Sequence, residues 1–303
     1  MPSPVDHDTR IPVLYLAPWV DYGGADKGTI DWFRWIDRSQ FAPSLITTQP
    51  SPNRRLSEIT PFAEEVWALP DFFDGSSFRS FILDFIESRG IRLVHLMNSR
   101  LGFCLLPELV SLRHRPGVVV QLHVEEPNRS GYVRYVTTRF GNLVDAFSVT
   151  SQHLARAVRG YGIPRNKVTV IYTGVDGEKE FNQYRVTPRK LPEGLHHLLF
   201  AGRLTEQKDP LLMVEVLTAL IRGRRDVRLH IVGEGELEDE LRDSLRGPLG
   251  LGIGRGVDAC EPENLADVVG DLFLAVGHDD NGTIAPRPFP FHRPVWYGSS
   301  LHA

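Results

Sequence analysis

Seven short runs in the first 174 residues are apolar almost throughout, with no regular alternation: IPVLYLAPW (11–19), PSLITTQ (43–49), EVWALP (65–70), RLVHLMN (92–98), GVVVQLHV (117–124), DAFSVTS (145–151) and KVTVIYTG (167–174). Strands that read this way are buried on both faces, which is the signature of a parallel sheet. Between them lie segments of helical period. SSFRSFILDFIESRG (76–90) places Phe78, Phe81, Ile82, Phe85 and Ile86 on one stripe, with Gly90 as a stop. Strands alternating with helices predict an α/β layered fold.

The pattern lapses over TGVDGEKEFNQYRVTPRKLPEG (173–194) and restarts with HLLFAGR, a helix, VRLHIVGEG and a second helix to about Arg246. We therefore expect a first domain over 1–176, a linker over 177–195 and a partial second domain over 196–250. About 55 residues are too few for a complete second α/β domain, since domains run to roughly 100–150. From 251 to 303 the text turns rich in glycine and then proline, with one helical stretch from Pro262 to about Leu274, and we expect an atypical, poorly packed tail.

Composition changes this picture little. The 42% hydrophobic and 24% charged content is that of a globular chain, and 34 basic against 38 acidic residues give no general attraction to nucleic acid. Cys104 and Cys260 stand alone, so neither a disulfide framework nor a cysteine zinc site is indicated, and no His/Asp/Glu spacing suggests a protein-built metal site. The first ten residues lack an apolar signal core and no run reaches 18 apolar residues. The expectation is a cytoplasmic protein, with peripheral membrane contact left open.

Candidate chemistry gathers where strands end. LLFAGRLTEQKDPLL (198–212) places Gly202, Arg203 and Lys208 between a strand and a helix. Ligands of open parallel sheets bind outside the strands' carboxyl ends, where a following helix offers unpaired N–H groups. An arginine fork and a lysine there suit a diphosphate. The same text also describes a solvated loop with two surface cations. Gly23 and Gly24 follow the first strand and permit close approach of backbone N–H groups to phosphate, although GGADKG is neither G-x-G-x-x-G nor a Walker A loop. VGEGELEDEL (232–241) has Glu238 where the dinucleotide fingerprint needs its third glycine, which disfavours a nicotinamide oxidoreductase. His123 ends the strand VVVQLHV. It is placed either to meet a sugar hydroxyl or a proton, or to serve as a satisfied structural histidine. No G-x-S-x-G elbow is present.

Taken in order, FAGRLTEQKDP, GGADKG, VTSQHLARAV with VTVIYTGVD, and LHIVGEGELEDEL resemble the family 4 retaining glycosyltransferases, over about residues 11–246. The resemblance implies a GT-B fold: two Rossmann-like parallel-sheet domains, the second incomplete here, with no cofactor and no metal. It implies a nucleotide-diphosphate sugar donor bound between the domains, and a glycan or glycoconjugate acceptor presented by the N-terminal one. Arg203 and Lys208 would then hold the leaving diphosphate with Gly202. Gly23 and Gly24 would approach the diphosphate from the other domain, and His123 matches the family's catalytic-site histidine near the donor sugar.

Two departures bear on activity. Thr173 stands where the family has asparagine before Gly-Val-Asp. The family's E-x7-E segment is missing: no two glutamates after residue 195 are eight apart, and Glu263 and Asp271, which have that spacing, lack the flanking text. The resemblance thus implies either a transferase with weak or no turnover or a non-catalytic glycan- or partner-binding remnant.

Overall fold

The structure is a computed structural model, and it describes residues 9–125, 131–179, 181–185, 194, 196–223, 227–246 and 257–260. The chain divides into two compact units, 1–174 and 175–303.

In the first unit, β1 (Ile11–Ala17), β2 (Phe41–Thr47), β3 (Val66–Ala68), β4 (Leu93–Met97), β5 (Gly117–Leu122), β6 (Ala146–Val149) and β7 (Val168–Val170) form one sheet in the order β3-β2-β1-β4-β5-β6-β7. Every pairing is parallel. All seven apolar runs are strands. The second begins earlier than its text suggests, because Pro43 lies inside β2 opposite Val13, below the point where β3 pairs with Leu45–Thr47. A proline lacking its N–H is tolerated where only one neighbouring strand needs a donor.

Alternation along the strands sends their side chains into two cores. Leu14, Leu16, Val94, Leu96, Val118, Val120 and Leu122 face one way, with Phe78, Ile82, Phe85 and Ile86 of α2 (Gly75–Ser88) and Phe103 of α3 (Arg100–Cys104). That core also takes Leu106 of α4 (Leu106–Leu109), Val133 of α5 (Tyr132–Phe140) and Leu154 of α6 (Gln152–Gly160). Val13, Tyr15, Leu45 and Met97 face the other way, with Ile30 and Phe33 of α1 (Gly24–Trp35). Each such side chain contributes about 1.5–3 kcal/mol by leaving water. The expected stripe of α2 is buried at Phe78, Ile82, Phe85 and Ile86, and Gly90 stops it with φ +58°.

In the second unit, β8 (His196–Ala201), β9 (Val227–Val232) and β10 (Val257–Cys260) form a parallel sheet in the order β10-β9-β8, with α7 (Pro210–Gly223) and α8 (Glu238–Arg246). β10 falls in the stretch expected to lack order. Its four residues pair with Leu229–Val232, so the sheet continues past residue 250. The Pro262–Leu274 helix and the proline-rich end lie outside the described residues.

Two glycines set the loops of this unit. A Cβ on Gly233 (φ +144°) would lie 1.9 Å from the Gly202 carbonyl oxygen, and one on Gly235 would lie 2.3 Å from that of Leu204. The contact is sealed by backbone bonds from Gly202 N to Val232 O (2.9 Å) and from Leu204 N to Glu234 O (2.8 Å). The VGEG glycines therefore serve to bring two strand exits into backbone contact. Gly233→Ala is expected to destabilise the protein by about 2–4 kcal/mol. An unchanged denaturant midpoint would refute this account of the loop.

Candidate functional site

The order β3-β2-β1-β4 reverses direction between β1 and β4, so the crevice of the first unit opens at the carboxyl ends of these two strands. The loop leaving β1 is fastened to the one leaving β2. Asp21 accepts hydrogen bonds from Arg54 Nε (2.6 Å), Ser51 Oγ (3.0 Å) and the Tyr22 N–H (3.0 Å), and Asn53 Oδ1 accepts from Val20 N (2.9 Å). Burial alone would push the Asp21 carboxyl up, but the bonds from Arg54, Ser51 and Tyr22 outweigh it and hold it below the usual range. The Arg54 guanidinium also lies 4.7 Å from the exposed Tyr22 ring.

Gly23 is the N-cap of α1 and makes no side-chain cap. A Cβ there would meet Asp26 Oδ2 at 2.9 Å, whereas one on Gly24 would meet nothing within 4 Å. The backbone at Gly24 thus borders open space, and Asp26 brings a carboxylate to the same helix end. One turn on, an added Cβ at Gly28 would lie 3.5 Å from His123 Cε1. The structure therefore brings His123 beside α1, within a turn of Gly24.

His123 follows directly on β5, and its carbonyl accepts a bond from Thr150 Oγ1 (3.2 Å) at the exit of β6. Burial pushes its imidazole down to about 4. On the neighbouring strand β4 lies His95, opposite Val119 and on the same face, a residue the sequence does not single out. It is 4% exposed, its Nε2 is buried without a partner, and burial followed by the nearby His123 pushes it down to about 3. Both rings are neutral near pH 7. Trp32 and Gln121 complete the group, with Trp32 Nε1 donating to Gln121 Oε1 at 2.6 Å. The only sequence signal for these residues is polar side chains inside strands that otherwise read as apolar.

In the second unit Gly202 and Arg203 leave β8. Arg203 is exposed and donates from Nη2 to Gln207 Oε1 (2.9 Å). Lys208 is exposed, and its Cγ would lie 4.0 Å from a Cβ on Gly202, so the lysine stem runs along the glycine. The loop is held by Leu204, which is buried at 3% exposure. The start of α7 differs from expectation. Asp209 (φ +48°) receives the Leu212 N–H at its carbonyl (3.3 Å) and its Oδ1 (3.4 Å), and Pro210 has no N–H to offer. An acid thus takes up the Leu212 N–H at the helix start, and the exposed positive charge of the loop lies on the Arg203 and Lys208 side chains.

Among the described residues, no three His, Cys, Asp or Glu side chains are grouped to hold a metal ion, and no helix is long and apolar enough to cross a membrane.

The histidines make stability depend on acid. The folded state holds both imidazoles at about 3 and about 4, against about 6.5 in the unfolded chain, so the unfolded state binds more protons between those values. Their contribution is complete above about pH 6.5 and declines as the pH falls toward 4. Denaturant titration should show the protein losing several kcal/mol, to order of magnitude, between pH 7 and 4.5. His95→Phe should flatten that slope, and an unchanged slope would exclude His95 as its source.

Comparison with known proteins agrees with this geometry. The model of Glycosyltransferase Family 4 matches residues 22–179, just over half of the chain. A D-inositol 3-phosphate glycosyltransferase of Pseudarthrobacter chlorophenolicus is 37% identical over 101 residues, which are 31% of this chain and 24% of that protein. The aligned stretch thus spans about a quarter of the relative's length. Among solved structures, a glycosyltransferase from Rickettsia africae aligns with a TM-score of 0.64 at 16% identity, covering 86% of this chain and 71% of the other. Anabaena HepE, in complex with UDP and glucose, aligns at 0.61 with 16% identity over 86% and 72%. The two-sheet parallel architecture is that of the GT-B glycosyltransferases, and by its match the chain belongs to glycosyltransferase family 4.

Proposed function

We propose that the protein binds a nucleotide-diphosphate sugar and transfers the sugar, with retention of anomeric configuration, to a glycan or glycoconjugate acceptor. The observation that carries this reading is the Gly202–Arg203–Lys208 loop. It is pinned by backbone contact with Gly233 and Gly235 and presents two exposed cations at a strand's carboxyl end. Arg203 and Lys208 stabilise charge growing on the departing diphosphate, as fixed cations do for any leaving anion. In the first unit, Gly23 and Gly24 offer backbone to the donor, and the neutral His123 hydrogen-bonds the donor sugar and carries no charge into the reaction. HepE is described in complex with UDP and with UDP-glucose, which makes a uridine donor the first to test. The absence of an E-x7-E segment removes acidic contacts to the sugar, and a donor misplaced by about 1 Å loses on the order of 10²-fold in rate. Transfer is therefore slow relative to the family. The missing segment also favours a second reading, a non-catalytic glycan-binding protein, for which acceptor binding is independent of donor.

Calorimetry with UDP and UDP-glucose tests the first half. Arg203→Ala and Lys208→Ala should each weaken binding about 10–100-fold, the value of a charge-assisted hydrogen bond. Equal affinity in the double variant would remove the diphosphate site. His123→Ala should lower transfer about tenfold or more with donor affinity little changed. The rate of the unaltered protein should show no inflection from His123 near pH 6.5, because that ring titrates near 4. An inflection near 6.5 that vanishes in His123→Ala would contradict the neutral role.

A further inference from the structure

The α1-facing side of the first sheet carries an ordered row of polar and aromatic groups. Tyr15 pairs with His95, His95 with Val119 and Met97 with Gln121, so these residues share one face, and His123 lies two residues beyond Gln121 on that face. Gly28 and Trp32 are four apart on α1 and so lie on one stripe. Gly28 meets His123, and Trp32 meets Gln121 and His95. An indole N–H can only donate, so the Gln121 atom at 2.6 Å is the amide oxygen, which fixes the orientation of the amide. Gln121 is 6% exposed, and the bond joins residues 89 apart in sequence. The His95 ring stands 5.1 Å from Trp32, edge to face, and 5.0 Å from Tyr15, which leaves the indole little freedom to turn. The buried Nε2 of His95 has no partner, an unfavourable feature that the cluster retains.

We propose that Trp32 and Gln121 are positioning residues. Their hydrogen bond fixes the placement of α1 on β5, so that Gly28 seats the His123 imidazole beside the glycine loop. This rests on the reading that His123 serves the donor sugar. The titratable groups on the elements packed around the imidazole are His95 on β4, Asp26, Lys27 and Asp31 on α1, and Glu125 beyond β5 with its partner His153 on α6. Lys27 and Asp31 are paired at 2.6 Å, and Glu125 and His153 at 3.0 Å.

The test is the titration of His123 followed by NMR of its Cε1–H in the full chain, with His123→Ala identifying the signal. Trp32→Phe keeps the ring packing but removes the donor, and water admitted to Gln121 should raise the His123 midpoint by half a unit or more. Gln121→Glu keeps an acceptor for Trp32 and adds a charge that should raise it further. Gly28→Ala adds a methyl group beside Cε1, favours the helix, and should shift the signal without loss of fold. Donor transfer in Trp32→Phe should fall about tenfold in kcat with KM within about threefold. Unchanged His123 signals and titration in both Trp32→Phe and Gly28→Ala would overturn the proposal. If the unaltered protein neither binds nor turns over a nucleotide sugar, the functional reading fails, and the NMR measurements still decide whether Trp32 and Gln121 position His123.

Discussion

The first unit depends on β1 being hydrogen-bonded on both edges, to β2 over all seven of its residues and to β4 over Val13–Leu16. A parallel strand cannot reach its neighbour through a hairpin, so each crossover helix lies on a face of the sheet and each functional loop leaves at the same end. Because the chain runs outward from β1 first one way and then the other, the loops after β1 and β4 diverge and leave a crevice. The locked Asp21 turn, the Gly23–Gly24 pair and His123 are all strand exits at that end. Moving β1 by one residue would exchange the Leu14 and Tyr15 faces and place the Tyr15 hydroxyl in the larger apolar core.

Helix dipoles leave less positive field at these loops than the glycines suggest. Asp26 lies in the first turn of α1 and Asp209 closes α7. An acid at a helix N-terminus stabilises the helix by about 0.3–1 kcal/mol and offsets the same positive field that would attract a phosphate. In the second unit the exposed positive charge of the loop after β8 lies on the Arg203 and Lys208 side chains. In the first, Lys27 is engaged with Asp31, so the loop at Gly24 offers backbone and space more than charge.

Sheet and helix order were legible because they depend on long apolar runs and helical stripes, which the sequence displays directly: all seven runs of the first unit, the α2 stripe and the Gly90 stop are found. Short-range chemistry was less so. β10 was missed because four residues, VDAC, carry too little pattern to stand out after a glycine-rich stretch. The glycines at 233 and 235 read as a broken nucleotide fingerprint, but their reason is a backbone contact with residues 202–204 that no local pattern encodes. Trp32, His95 and Gln121 are separated by up to 89 positions, and only the strand register brings them together. Asp209 could have been read as a cap from the D-P dipeptide ahead of the helix.

The two units hold their loops by different means. β1 is buried from Val13 to Ala17, and its exits inherit the rigidity of a core on both faces. In β8 no residue reaches full burial, although HLLFA reads as a central strand, and among the described residues it has a neighbour only at β9. Leu212 and Val216, one turn apart on α7, are 49% and 38% exposed. A small apolar core around Leu204, Leu217, Leu229 and Leu241 is left to support the loop that carries both cations. The placement of Arg203 therefore rests mainly on the backbone bonds of Gly202 and Leu204 to the β9 exit, which need no covered sheet face to form. The position of the Arg203 backbone and the burial of the sheet behind it are thereby partly uncoupled.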